Sequence, residues 1–285
     1  MVFLRHDCGL AEMWNDMSVK ARHHVQVAGD GSETIVFAHG FGCDQTMWRA
    51  LAPSFLARYR VVTFDLIGSG KSDLAAYDRE KYASLRGHAS DVLQILEEVS
   101  PSAAIFVGHS VSAMIGMLAA LEAPERFAAQ VWIGPSPCYV NEGDYVGGFT
   151  KLEILAMLEL LDRNYLGWAH EMAPRIMGAP DRPELGAELT SNFCSLDPEI
   201  ATHFARVTFL SDHRAELERY KAGALILQSS DDAIAPVAVG KYLKRNVANS
   251  TLQIIDNIGH CPHLSAPRSI AAAITRFLES GRPRF

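Results

Sequence analysis

The feature that most limits how this chain can fold is a series of short apolar runs, several of them closed by residues that can do chemistry. Thr34-Ile35-Val36-Phe37-Ala38 leads into His39-Gly40-Phe41-Gly42, Tyr59 to Phe64 into Asp65, and Ala103 to Val107 into Gly108-His109-Ser110. Gln130 to Ile133, Ala224 to Leu227 and Leu252 to Ile255 follow. A strand with one wet face alternates polar and apolar residues, whereas runs that are apolar throughout suit parallel strands covered on both faces. His24-Val25-Gln26-Val27 does alternate, as a half-buried strand does, and Gly29-Asp30-Gly31 then supplies a turn.

Helical patterns lie between the runs. Leu85, His88, Ala89, Val92, Leu96 and Val99 recur at three- and four-residue steps, with Asp91, Glu97 and Glu98 largely off that face. Met114 to Leu121 is small and apolar, as a helix buried against a sheet should be. The repeated alternation predicts a mostly parallel central sheet with helices on both faces. It breaks between about Val140 and Leu217, where Leu152, Leu155, Leu158, Leu161, Tyr165 and Trp168 suggest consecutive helices with no strand. The expected organisation is an N-terminal extension over 1–22, a core in two parts over 23–139 and 218–285, and a helical lid over 140–217. A chain of 285 residues suits one such α/β domain.

Composition narrows the function. The formal net charge is -7, from 33 acidic and 26 basic side chains, and no basic block stands out. That argues against nucleic acid as a partner, because phosphate recognition needs clustered Lys and Arg. Five cysteines with no C-x-x-C spacing read as free thiols in a reducing compartment, and no zinc-type grouping of Cys and His appears. The first residues lack the basic and apolar regions of a secretory signal. No apolar stretch approaches the ~18 to 20 residues that span a bilayer. A cytoplasmic protein without membrane association is expected.

Four motifs carry chemistry. Gly108-His109-Ser110-Val111-Ser112 stands between an apolar strand and a small-residue helix, the setting of the nucleophile elbow G-x-S-x-G, with Ser112 in place of the last glycine. It makes Ser110 the candidate nucleophile. His39-Gly40-Phe41-Gly42 sits where a second oxyanion donor belongs, which assigns the backbone N–H groups of Phe41 and Val111 to that task. Asp231 and Asp232 in Gln228-Ser229-Ser230-Asp231-Asp232 compete as the acid that orients an imidazole. His260, with His263 as competitor, is the candidate base. The order Ser, Asp, His, each at the end of a predicted strand, is the order this kind of site uses. Gly68-Ser69-Gly70-Lys71-Ser72 imitates the end of a phosphate-binding loop, but the first glycine of G-x-x-x-x-G-K-[ST] would fall on Asp65. A structural loop near the oxyanion turn is expected there instead.

Together with Phe41-Gly42-Cys43-Asp44-Gln45, Asp65-Leu66-Ile67-Gly68-Ser69-Gly70-Lys71-Ser72 and Ser136-Pro137-Cys138-Tyr139-Val140-Asn141, these segments resemble the RsbQ-type α/β-hydrolases. That group holds bacterial stress-response regulators and the plant karrikin and strigolactone receptors. The resemblance covers roughly His23 to Leu278. It implies an α/β-hydrolase fold with a four-helix lid over a hydrophobic pocket. Gln228, Ser229, Asp232 and Pro236 match the family's acid motif, which favours Asp232 over Asp231. The pocket implied by the match is lined by Phe41, Tyr139, Phe149, Phe193 and Phe209, with Met172 where plant members often carry an aromatic residue. The implied activity is hydrolysis of a small, largely apolar ester or lactone by a Ser110, Asp232 and His260 triad, without metal or organic cofactor. The same resemblance leaves open a ligand-sensing regulator that hydrolyses slowly and works with a protein partner.

Overall fold

A computed structural model of the protein describes residues 18–280; residues 1–17, the greater part of the expected N-terminal extension, lie outside the described residues. Helix α1 (Val19–Arg22) is capped by the Ser18 side chain, and the Asp73 and Asp65 amides donate to the Arg22 and His23 carbonyls at 2.9 Å. Four residues are too few to reveal a helical period, and these long-range bonds are what hold them.

Seven strands follow: β1 (Gln26–Ala28), β2 (Glu33–Ala38), β3 (Tyr59–Phe64), β4 (Ala104–His109), β5 (Phe127–Ile133), β6 (Ala224–Asp231) and β7 (Thr251–Ile258). They form one sheet in the order β1-β3-β2-β4-β5-β6-β7, parallel except for β1. Helices α2 (Leu85–Val99), α3 (Val111–Glu122), α8 (Val237–Asn246), α9 (Pro262–Ser265) and α10 (Pro267–Glu279) complete the core. The span expected to form the lid holds four consecutive helices, α4 (Lys151–Arg163), α5 (Tyr165–Met177), α6 (Pro183–Cys194) and α7 (Pro198–Phe209).

The unalternating runs have a direct physical cause. Val36, Ala38 and Phe106 feed one core with α2 and α3, while Ile35, Phe37, Ile105 and Val107 feed another with α10. β2 and β4 therefore need apolar residues at successive positions. β7 differs: it is an edge strand, Ile254 and Ile258 are exposed, and the run Leu252 to Ile255 is not buried on both faces. A third core lies beneath these helices, where Ile154, Leu158, Leu161 and Trp168 meet Met47 and Tyr139 from the connections after β2 and β5 and Leu264 from α9. No described helix is long and apolar enough to cross a membrane.

Helix α2 carries a departure from its apolar stripe. Asp91, placed off the buried face by periodicity, is buried; it accepts from the Tyr82 hydroxyl at 2.7 Å and pairs with Lys81. Nearby His88 stacks between Tyr82 and Phe204, and neither ring nitrogen has a partner among the described residues. Burial drives the His88 pKa from 6.5 down to about 3; Asp91 opposes the shift, and His23, Lys81 and His39 add to it. Between those values the unfolded chain holds a proton that folded His88 refuses, so the unfolded state binds more protons. Stability is then complete above the unfolded value and declines as pH falls toward the folded one. Replacing His88 by Phe is expected to shrink the fall in Tm between neutral pH and about pH 5. An undiminished fall in thermal melts of that variant would assign the acid sensitivity to other groups.

Candidate active site

The site is assembled at the carboxyl ends of β2, β4, β6 and β7. Ser110 follows β4 directly and has φ 56°, a left-handed backbone that non-glycine residues rarely adopt. Three contacts hold the turn. The Ser110 amide donates to the Ile133 carbonyl at the end of β5 at 2.8 Å. Gly108 lies so close to the first turn of α3 that an added Cβ would stand 2.5 Å from the Ser112 carbonyl oxygen. The Ser112 hydroxyl donates to the His39 carbonyl, which ties α3 to the loop after β2. Sequence comparison with the G-x-S-x-G pattern treats Ser112 as a defect; its hydroxyl is in fact a tether.

Ser110, Asp232 and His260 come together although 150 residues separate the first from the last. Asp232 Oδ2 lies 2.8 Å from His260 Nδ1, and His260 Nε2 lies 2.8 Å from Ser110 Oγ. A carboxylate accepts, so Nδ1 carries the proton, and the bare Nε2 accepts from the Ser110 hydroxyl. The second carboxylate oxygen, Oδ1, accepts from the Ile234 and Ala235 amides at 2.8 and 3.1 Å, which prevents Asp232 from turning away. Asp231 is exposed, and its carbonyl accepts from the Gly259 amide. His263 is buried against Trp48 and His109, with ring centroids 4.7 and 4.3 Å apart, and makes no hydrogen bond to Ser110.

The His260 loop is held from two further sides. The His260 amide donates to the Ile176 carbonyl of α5 at 2.8 Å, a direct tie from lid to imidazole. Its carbonyl accepts from His109 Nε2 at 2.9 Å. Burial and the neighbouring His263 and His260 keep the His109 pKa well below its ordinary value, so this imidazole stays neutral. His109, Cys261 and His263 bring ligand-type atoms within 4.8 Å of one another, a grouping invisible in the spacing because His109 arrives from another strand. Cys43, Cys138, Cys194 and Cys261 are free thiols.

Phe41 and Val111 follow β2 and the elbow serine, and neither amide is used in a hydrogen bond among the described residues. The Phe41 ring is the hub of an aromatic cluster, with centroids 5.8 to 6.3 Å from Trp168, Phe193, Phe204 and Phe209. Of these partners, sequence comparison selected Phe193 and Phe209; Trp168 and Phe204 went unrecognised as members. Tyr139 packs on Phe209, with ring centroids 5.0 Å apart. Burial pushes its phenol up to about 12, with Ser110 pulling the other way, so it stands protonated. Phe149 and Met172 pack at the margin of the lid core, the Met172 sulphur 3.9 Å from the exposed Arg175 guanidinium. The loop of Gly68 to Ser72 serves structure: Asp65 accepts from the Gln45 and Lys71 amides, both at 2.9 Å, and so binds that loop to the one that follows Phe41.

Comparison with known proteins gives a consistent set. Residues 35–273 match the model of the Alpha/beta hydrolase family. The karrikin insensitive 2 receptor CA of Petunia hybrida is 36% identical over 91% of this chain and 97% of its own. The strigolactone esterase D14 of Arabidopsis thaliana is 35% identical over 90% of this chain and 96% of its own. Among solved structures, a hydrolase from Oleispira antarctica superposes with a TM-score of 0.90 at 40% identity, covering 92% of this chain and 97% of that one.

The two aspartates separate in a simple experiment. Reaction of Ser110 with a fluorophosphonate probe is expected to slow roughly a thousandfold or more in Asp232→Asn, which leaves the imidazole in the wrong tautomer. The rate in Asp231→Asn should equal that of the parent. Exchange of the two outcomes would move the acid to Asp231.

Proposed function

Because the chain belongs to the alpha/beta hydrolase family, we propose that it is a serine hydrolase that cleaves a small, largely apolar ester or lactone through an acyl-enzyme. The observation that carries this reading is the unbroken line from Asp232 through His260 to Ser110, with both links at 2.8 Å. Ser110 Oγ bonds to the substrate carbonyl carbon as its proton passes to His260 Nε2. The carbonyl oxygen, now an oxyanion, is held by the Phe41 and Val111 amides. On collapse, the bond to the leaving alcohol breaks and His260 returns the proton to it. Water then attacks the acyl group with His260 as base, Ser110 recovers its proton, and the acid is released. Asp232 balances the transient imidazolium throughout.

The aromatic hub of Phe41, Trp168, Phe193, Phe204 and Phe209 and the buried Tyr139 phenol favour apolar substrates with few polar groups. A second reading, ligand sensing with slow turnover and a cytoplasmic protein partner, is favoured by the tie between Ile176 of the lid and the His260 amide. Any shift of the lid on ligand binding would be felt at the base through that bond. The plant relatives carry the names receptor and esterase alike. Fast hydrolysis of many short-chain esters would favour the general esterase. Slow hydrolysis with large ligand-induced rises in Tm would favour the sensor.

Ser110→Ala is expected to lower the rate of p-nitrophenyl acetate hydrolysis by roughly a thousandfold or more. Undiminished turnover in that variant would end the serine mechanism.

A further inference from the structure

An oxyanion donor on the Gly40–Phe41 peptide works only if that peptide keeps one orientation. Flipped, it would present a carbonyl oxygen to the developing negative charge. The neighbouring His39 has no place in the mechanism above, yet it is fully buried with both ring nitrogens engaged. Its Nε2 lies 3.0 Å from the Leu66 amide, and its Nδ1 lies 2.9 Å from the Gly40 carbonyl oxygen. An amide can only donate and a carbonyl can only accept, so one proton arrangement satisfies both: a bare Nε2 and a protonated Nδ1. Burial holds the imidazole neutral, with its pKa below the ordinary value. The Gly40 carbonyl is held on the same side of the turn by the Cys43 amide at 3.3 Å.

Peptide planarity carries the consequence forward. The bond is trans, so a carbonyl drawn toward His39 sends the Phe41 N–H the opposite way. Gly40 is packed against the elbow itself: a Cβ on it would stand 3.2 Å from Ser110 Cβ and 2.6 Å from His109 Nδ1. The carbonyl of His39 is anchored separately by the Ser112 hydroxyl. The backbone on both sides of the His39 residue is thus pinned, and the ring selects which face of the next peptide looks toward Ser110. We propose that His39 is a positioning residue that, as its Nδ1–H tautomer, locks the Gly40–Phe41 peptide with its N–H toward Ser110 and so preforms half of the oxyanion hole.

This inference rests on the hydrolase reading, and the test keeps the two apart. The parent must hydrolyse p-nitrophenyl acetate and lose that activity in Ser110→Ala; failure there overturns the hydrolase reading and this inference with it. With that activity established, His39→Phe keeps most of the ring volume and removes both hydrogen bonds. Its kcat is expected to fall roughly a hundred- to thousandfold, the cost of one oxyanion donor, with KM changed less than about threefold. Affinity for phenylboronic acid, which forms a tetrahedral adduct on the serine, should fall with kcat. A packing defect alone would lower Tm while leaving boronate affinity of the folded protein intact. A kcat within about threefold of the parent, or unchanged boronate affinity beside a lowered kcat, overturns the proposal. Should His39→Phe fail to fold, His39→Asn and His39→Gln carry the test. The Asn amide reaches the Gly40 carbonyl and should retain more kcat and boronate affinity than Gln, which reaches Leu66 instead; equal loss or the reverse order overturns it.

Discussion

The site depends on where one proton sits. Asp232 accepts from two backbone amides through one oxygen and from His260 Nδ1 through the other, so it cannot rotate and cannot donate. That arrangement leaves His260 Nε2 as the acceptor facing Ser110. The same logic recurs twice nearby. The Leu66 amide dictates a bare Nε2 on His39, and the His260 carbonyl dictates a protonated Nε2 on His109. In all three imidazoles the choice of tautomer is made by a group whose polarity is fixed. Desolvation keeps His39 and His109 neutral, so those assignments are not undone by an extra proton.

These bonds require strand ends to meet, and the sheet order provides for it. β2 and β4 are neighbours, which sets the His39 loop against the Ser110 turn, and β5 alone stands between β4 and β6. The positive φ at Ser110 carries a cost of order 1 to 3 kcal/mol and persists only when its surroundings demand it. Here the Ile133 carbonyl holds the amide before the turn and Ser112 holds the helix after it. The His260 loop, between β7 and α9, is likewise fixed by long-range bonds, to Ile176 of α5 and to His109. The lid thereby belongs to the site's geometry as well as to its walls.

The parts of the molecule visible in the sequence are those written in local pattern. Six apolar runs correspond to β2 through β7, and in β2 and β4 the cause is apolar packing on both faces of the strand. The motifs at the strand ends brought out Ser110, Asp232 and His260, since strand ends converge in this topology. What stayed hidden depends on distant partners. Asp91 looks like a solvated residue until Tyr82 and Lys81 arrive to satisfy it. Helix α1 is too short to have a period. Ile254 and Ile258 are exposed because β7 is an edge, a fact of strand order and not of composition. Trp168 and Phe204 join Phe41 from two different lid helices, and no spacing along the chain announces that meeting.

Ser112 marks the difference between a motif and the requirement behind it. The pattern asks for glycine on both sides of the nucleophile because the turn is tight. The two positions are not equivalent. At 108 a Cβ would strike the Ser112 carbonyl and the amide that follows it, so glycine is obligatory. At 112 a side chain is present, fully buried, and its hydroxyl finds an acceptor in the His39 carbonyl. A buried hydroxyl without such a partner would be destabilising. With the partner it fastens the helix that follows Ser110 to the loop that holds His39 and Phe41. Glycine at 112 would match the pattern and remove that fastening. The departure from the pattern and the closeness of the two loops are therefore one feature, because the hydroxyl is tolerated only where the carbonyl stands.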